Sequence, residues 1–207
     1  VNTDNLVLVA SGTGVSGFNG VLKEKGATIG EGKDSIPAAA KDGDNLVLEM
    51  PKADVVSASD TSVGLEEAKT VTLTTDTNKS FTYSGSSQAR KVYLKYGESS
   101  ISDYTVTYAA ESGSELSNGS PVNAGSYYIS VVALTENAGD YYFFDAASNT
   151  LSKSYTYASA DENINKFVIK PAEVELAFVS GSMTVTYDAK AVENPEVTVS
   201  GGTFRLD

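Results

Sequence analysis

Residues 104–108 read Tyr-Thr-Val-Thr-Tyr, and this alternation of apolar or aromatic residues with threonine decides the fold class. Successive side chains of a β-strand point to opposite faces, so Tyr104, Val106 and Tyr108 share one face and the threonines share the other. One buried face and one wetted face are typical of antiparallel sheets packed as a sandwich. The same period of two recurs at 70–74, 173–178 and 183–187. The sequence therefore predicts an all-β protein.

Further short strands are predicted where β-branched and aromatic residues lie between clusters of Gly, Asn, Ser and Asp. Asn19-Gly20 predicts a tight hairpin turn, because both residues tolerate positive φ. Two short helical turns are predicted at 37–41 and 64–69. The additional strands are predicted at 5–10, 45–50, 54–58, 91–95, 127–134, 141–145, 154–157, 166–169 and 196–200.

Composition excludes several classes of chemistry. The 207 residues include no histidine and no cysteine, so the chain has no means for Ser-His or Cys-His catalysis, thiolate or histidine zinc ligation, or disulfides. The formal net charge of −12, from 27 acidic and 15 basic residues, disfavours binding to nucleic-acid phosphates. No segment reaches the roughly 18 apolar residues that span a bilayer. We therefore expect no enzyme activity, no nucleic-acid partner and no membrane span in this chain.

Three motifs follow one another in the second half of the chain. They are Asp103–Tyr108, Pro121–Ile129, which contains Asn-Ala-Gly, and Phe167–Ala172, which reads Phe-Val-Ile-Lys-Pro-Ala. Together with the lead-in strand at 81–85, they resemble the MBG-type bacterial immunoglobulin-like repeats of cell-surface and adhesin proteins over about residues 79–178. Residues 183–207 resemble a partial second copy of the same repeat.

The resemblance implies immunoglobulin-like β-sandwich domains in tandem. The corresponding limits are an N-terminal β domain of unrecognised type at 1–74, an immunoglobulin-like sandwich at 75–178, and C-terminal strands at 179–207. Those last strands form either a partial repeat or a strand-exchange segment. The resemblance also implies an extracellular location at the cell surface. Because the chain begins at Val1 and carries no cleavable leader, we expect a processed mature chain or a fragment.

Three functions remain open at this point. The first is a non-catalytic structural or adhesive segment of an exported bacterial surface protein, whose partners are neighbouring immunoglobulin-like domains, a host molecule or a glycan. The second is a self-assembling subunit of a surface layer or filament, in which strand addition joins identical subunits. The third is a carbohydrate-binding module, which would need two or more coplanar exposed aromatic rings in a groove.

The aromatic run Tyr141-Tyr142-Phe143-Phe144 is the candidate interaction surface. If it forms a strand, its side chains alternate, so one pair points into the core and the other points out. The sequence predicts an interaction surface at Tyr141 and Phe143, with packing against the N-terminal region as the alternative for the outer pair.

No residue is predicted to be catalytic or to bind a cofactor. The oxygen-rich turn at 41–45 is a candidate site for structural calcium, and a plain polar turn is the alternative. Lys91, Asn163 and Asn165 lie near predicted strand ends and are candidates for a Lys–Asn isopeptide bond.

Overall fold

The computed structural model describes residues 5–51, 64–114, 116, 119–173, 175–178 and 197–200. A single helical turn, α1, spans Thr13–Ser16, and a 3₁₀ turn spans Glu136–Ala138. The strands within these ranges are β1 Asn5–Ala10, β2 Leu22–Glu24, β3 Ser35–Pro37, β4 Ala40–Asp42, β5 Asn45–Pro51, β6 Leu65–Glu67, β7 Lys69–Thr70, β8 Thr72–Thr75, β9 Ser80–Thr82, β10 Val92–Tyr96, β11 Ser99–Ile101, β12 Tyr104–Ala110, β13 Gly125–Leu134, β14 Tyr141–Asp145, β15 Thr150–Ser152, β16 Ser154–Thr156, β17 Lys166–Lys170, β18 Glu175–Phe178 and β19 Val197–Ser200.

The all-β prediction is confirmed, and period-two alternation fixes the burial of individual strands. On β10, Val92 and Leu94 are buried whereas Tyr93 and Lys95 are exposed. The strands predicted at 5–10 and 141–145 match β1 and β14 in both limits. The strands predicted at 54–58 and 183–187 lie outside the described residues.

Two sheets enclose the larger core. One has the order β12-β13-β17-β9, with β16 also pairing with β13, and the other has the order β8-β10-β11. Their inner side chains meet in one cluster, in which the Phe167 ring is almost fully buried. The rings of Phe81, Tyr108 and Tyr127 lie 5.9, 5.8 and 5.9 Å from it. Edge-to-face and tilted ring pairs of this kind add to the stability gained by burying apolar area.

The N-terminal strands are joined to the second half of the chain by backbone pairing. Antiparallel β3–β15 and parallel β7–β14 build the sheet β3-β15-β14-β7. Smaller sheets, β1-β5-β4 and β2-β6, complete this side of the molecule over a core of Ala39, Leu48 and Met50. Strand pairing therefore crosses the boundary predicted at 74/75, and β8 spans it. The limits of the domains stay predictions.

Three local sequence predictions were wrong. The helical turns at 37–41 and 64–69 are instead parts of strands β3, β4, β6 and β7. Their backbone groups bond to distant partners, as when Ala39 N donates to Leu22 O at 2.8 Å and Ala68 N donates to Val21 O at 2.7 Å. Such tertiary bonds outweigh the weak helix propensity of segments of five or six residues. Asn19-Gly20 closes no hairpin, because α1 precedes it and the strand after it, β2, pairs with β6.

The described part of the C-terminal region is one antiparallel pair. β18 and β19 align with Glu175 opposite Ser200 and Phe178 opposite Val197. Most of the partial repeat predicted at 183–207 lies outside the described residues.

Candidate functional site

The aromatic strand β14 is buried on both faces. Tyr141 and Phe143 pack in the larger core, where Phe143 keeps only 4% of its surface exposed. Tyr142 and Phe144 turn the other way, into a second cluster that includes Ile36 from the N-terminal segment. The alternation was therefore predicted correctly, but the structure does not place the pair Tyr141 and Phe143 on an exposed face. The pair that packs against the N-terminal region is Tyr142 and Phe144.

A groove beside β14 is lined by several aromatic residues, so it is the place to look for a sugar-binding platform. It has a volume of 270 Å³, and its lining includes Tyr155 and Tyr157 as well as Phe143. The Tyr155 ring makes an angle of 47° with the Phe143 ring and 76° with the Tyr157 ring. These rings are not coplanar, so this groove lacks the flat platform that a carbohydrate-binding module requires.

The structure brings charged side chains from four separate segments into one cleft. The cleft has a volume of 480 Å³ and lies where residues 23–29 and Glu66 meet residues 139–142 and Lys153. Strands β2 and β6 supply one wall, while β14 and the turn before it supply the other. The cleft is therefore built jointly by the N-terminal segment and the second half of the chain.

Lys23 lies at the centre of the cleft and is almost completely buried. Its Nζ lies 3.1 Å from Glu66 Oε1 and 3.2 Å from Asp140 Oδ1, and it donates to Ala27 O at 3.0 Å. The three N–H groups of the ammonium therefore each have an acceptor. This matters because a buried ammonium without partners costs several kcal/mol.

Tyr142 and Lys153 form the opposite wall. The Tyr142 hydroxyl donates to Asp140 Oδ1 at 2.9 Å and lies 3.2 Å from Ala27 O. Lys153 Nζ lies 4.0 Å from the centre of the Tyr142 ring, which places a cation over an aromatic face. The same Nζ donates to the carbonyls of Gly139 and Tyr141, which holds the turn before β14 in place.

Burial and hydrogen bonding set the charges in the cleft. Burial alone would raise the pKa of Asp140, but hydrogen bonds from Tyr142 and Lys23 hold this pKa below its usual value. Burial alone would lower the pKa of Lys23, but Glu66 and Asp140 raise it. Burial raises the pKa of Tyr142 to about 12. At neutral pH the cleft is therefore a compensated ion cluster, which fastens the N-terminal segment to β14.

The alkaline stability of the protein tests this arrangement. Because the folded-state pKa of Tyr142 is raised from 10.0 to about 12, its stabilising effect is complete below pH 10 and is lost as the pH rises towards 12. We expect Tyr142→Phe to flatten the fall of the free energy of unfolding over this window, measured by urea denaturation. Tyr93→Phe is the matched control, because Tyr93 is exposed. An identical alkaline slope in wild type and Tyr142→Phe would contradict the prediction.

Sequence reasoning did not find this cluster. Its charged members stand far apart in the chain, at 23, 66, 140 and 153, and no spacing or motif in the sequence links them. Only the unexpected pairing of β7 with β14 and of β2 with β6 brings these positions together.

The remaining candidates from the sequence are not brought together as predicted. Asn163 Oδ1 accepts from Lys79 Nζ at 3.4 Å, the Asn165 amide is fully engaged with backbone groups, and Lys91 is exposed. The turn at 41–45 is a two-residue hairpin between β4 and β5, with Gly43 at φ 59°. Within the described ranges, no three His, Cys, Asp or Glu side chains gather as metal ligands would.

None of the helices in the described part of the chain is long and apolar enough to cross a membrane. Comparisons of the chain with family models, with curated proteins and with solved structures found no match.

Proposed function

We propose that the chain is a non-catalytic structural segment of an exported bacterial surface protein, in which the immunoglobulin-like sandwich resists extension along the chain. The all-β fold, the lack of His and Cys and the compensated charges of the cleft support a structural role. The observation that supports mechanical resistance is the parallel pairing of β9 with β17. These strands open and close the segment that resembles an immunoglobulin-like repeat.

The β9–β17 pair is short but continuous. Ser80, Phe81 and Thr82 align with Val168, Ile169 and Lys170, in that order. Beyond this register, Val168 N donates to Lys79 O at 2.9 Å and Tyr83 N donates to Lys170 O at 2.8 Å. The pair is also sealed on its inner face, because the Phe81 ring packs edge-on against Phe167.

Parallel pairing determines how these hydrogen bonds are loaded. The chain enters at the N-terminal end of β9 and leaves at the C-terminal end of β17. In a parallel pair these two points lie at opposite ends of the ladder. Tension therefore slides the strands along each other, and all the bonds must break together. An antiparallel pair pulled from one end would instead open one bond at a time. The β7–β14 pair is also parallel, so tension on the N-terminal segment loads its hydrogen bonds in the same way.

Force spectroscopy on the whole chain, held at its two ends, tests the proposal. Residues 79–170 should extend in one step of roughly 300 Å, at about 3.4 Å per residue. Val168→Pro removes the donor to Lys79 O, and we expect it to raise the forced-unfolding rate about tenfold, as a loss of about 1.4 kcal/mol would. Thr82→Pro is the matched control, because strand alternation turns the Thr82 N–H away from β17.

The two proline variants separate a mechanical role from a general loss of stability. If Val168→Pro unfolds at the same force as Thr82→Pro and wild type, the β9–β17 pair does not resist extension and the proposed mechanical role fails.

One observation favours the self-assembling subunit as a second candidate. β1 pairs only with β5 among the described strands, carries no charged residue or proline, and exposes Val7 and Val9. An uncharged edge of this kind is a template for strand addition. Light scattering distinguishes the two functions, because only the subunit would exceed 21.6 kDa in a concentration-dependent way.

A further inference from the structure

The solvent-facing side of β10 carries a row of basic and aromatic residues. Lys91 immediately precedes the strand, and Tyr93 and Lys95 follow at every second position, so all three project from the same face. All three are exposed, and Tyr93 keeps 47% of its surface accessible. The opposite face of β10 is anchored in the larger core by Val92 and Leu94. The row is therefore held on a rigid support.

Hydroxyl groups flank this row on both sides. In the ladder Thr74 lies opposite Tyr93, Thr72 lies opposite Lys95 on the β8 side, and Ser100 lies opposite Lys95 on the β11 side. These three hydroxyl-bearing residues are exposed. Neighbouring strands are about 4.8 Å apart, so each hydroxyl stands within reach of a molecule that lies along β10.

The charge of the row is opposite to that of the protein. Acidic residues outnumber basic residues by 27 to 15 over the chain. No acidic residue lies between Lys91 and Lys95, and neither lysine forms an ion pair within the described residues. The carboxylate nearest in sequence, Glu98, lies in the turn beyond Tyr96. Both ammonium groups are therefore open to an external anion.

We propose that this face, termed here the β10 row, binds an anionic polysaccharide laid along the strand. Successive row residues are about 6.6 Å apart, so the two lysines are about 13 Å apart and can meet acidic groups on non-adjacent sugars. Tyr93, midway between them, packs its ring against the apolar C–H face of a sugar, and the flanking hydroxyls bond to sugar hydroxyls. Charge pairing with the two lysines here takes the place of the coplanar rings that a module for neutral sugars needs. This binding site is independent of the proposed mechanical role.

The composition of the row favours a glycan over a protein or a nucleic acid. A protein interface needs an apolar core, whereas this face offers a single aromatic ring among polar groups. Single-stranded nucleic acids are bound by several stacked aromatic residues in a basic groove, whereas this row is flat and two lysines long. The acidic remainder of the surface repels any polyanion, so binding is confined to the row and weakens as salt screens the lysines.

The test measures binding of the whole chain to alginate, a polyuronate, and to heparin, a sulfated polysaccharide, with dextran as the neutral polymer. We expect both polyanions to bind and dextran not to bind. The double variant Lys91→Gln/Lys95→Gln should weaken binding at least about tenfold, and Tyr93→Ala should weaken it about tenfold as well. Lys25→Gln/Lys41→Gln is the matched control, because it removes the same charge from exposed positions elsewhere and should bind as wild type does.

Several results would overturn the inference. They are the absence of polyanion binding, equal losses in the control and row variants, and unchanged binding by Tyr93→Ala. If single-stranded DNA binds as tightly as the polysaccharides or more tightly, the row binds nucleic acid instead. If the wild-type protein has the mass of a dimer and the row variants are monomers, the row binds a second copy of the protein. Circular dichroism of each variant confirms folding, because all substituted side chains are exposed.

Discussion

Replacing Arg90 with leucine is expected to lower the free energy of unfolding by about 3–5 kcal/mol, measured by urea denaturation at pH 7. Arg90 is only 3% exposed although it directly precedes the exposed Lys91. Its Nε donates to Asp76 O at 2.9 Å, while Nη1 and Nη2 lie 3.4 Å from Lys166 O and 3.3 Å from Asn163 O. One guanidinium therefore ties the end of β8 to the loop before β17.

The size of the effect follows from what the substitution leaves behind. Leucine cannot donate, so three backbone carbonyls lose a donor inside the protein, and an unsatisfied buried acceptor costs about 1–3 kcal/mol. The Asp76 carboxylate, whose Oδ1 lies 4.0 Å from Arg90 Nε, also loses its nearby cation. Lys91→Leu is the control, because an exposed substitution stays within about 0.5 kcal/mol. A loss below about 1 kcal/mol for Arg90→Leu would contradict this account.

Alternation in the sequence determined which residues form strands, but it did not determine their partners. The patterns at 5–10, 104–108 and 141–145 all became strands, because period two is imposed by the pleat itself. Which strand lies beside which depends on contacts between residues far apart in the chain. The pairing of β3 with β15 and of β7 with β14 has no local signal, so it could not be predicted from the sequence.

The same limit explains what was missed at the charged cleft and at Arg90. A lysine or arginine is normally exposed, and no motif at positions 23 or 90 indicates otherwise. Each is buried because carbonyl and carboxylate acceptors converge on it from other segments. For β14, alternation correctly separated Tyr141 and Phe143 from Tyr142 and Phe144. It could not show that both faces of β14 would be buried, since the face of Tyr142 and Phe144 is covered by β3 and Ala68, which are far away in the sequence.

Asn165→Asp is expected to be as damaging as Arg90→Leu, although it exchanges one amide nitrogen for oxygen. Asn165 is fully buried, and its Nδ2 donates to Ile129 O at 3.1 Å and to Ser159 O at 3.0 Å. Its Oδ1 accepts from Asp161 N at 2.6 Å. The side chain thereby pins the loop before β17 to the middle of β13. No other atom of the side chain is free to take over these bonds.

The substitution turns the two donated bonds into contacts between oxygens and places an ionisable group in the core. Since burial disfavours the carboxylate, the new carboxyl would have a pKa above its unfolded value of about 3.9. Its stability cost is therefore smallest below pH 4, where one protonated oxygen can still donate, and grows as the pH rises through the folded-state pKa. At pH 7 we expect a loss of about 3–5 kcal/mol, measured by urea denaturation.

Asn163→Asp provides the matched control two residues away. Its side chain is exposed and is contacted by Lys79 Nζ at 3.4 Å, so the same chemical change should alter stability by no more than about 0.5 kcal/mol at any pH. If Asn165→Asp lost less than about 1 kcal/mol at pH 7, or lost the same amount at pH 4 and pH 7, the buried amide would not be holding the loop. The same loop also supplies Asn163 O to Arg90. If Arg90→Leu and Asn165→Asp each cause a large loss of stability, and the double variant loses less than the sum of the two, the two side chains hold one structural unit.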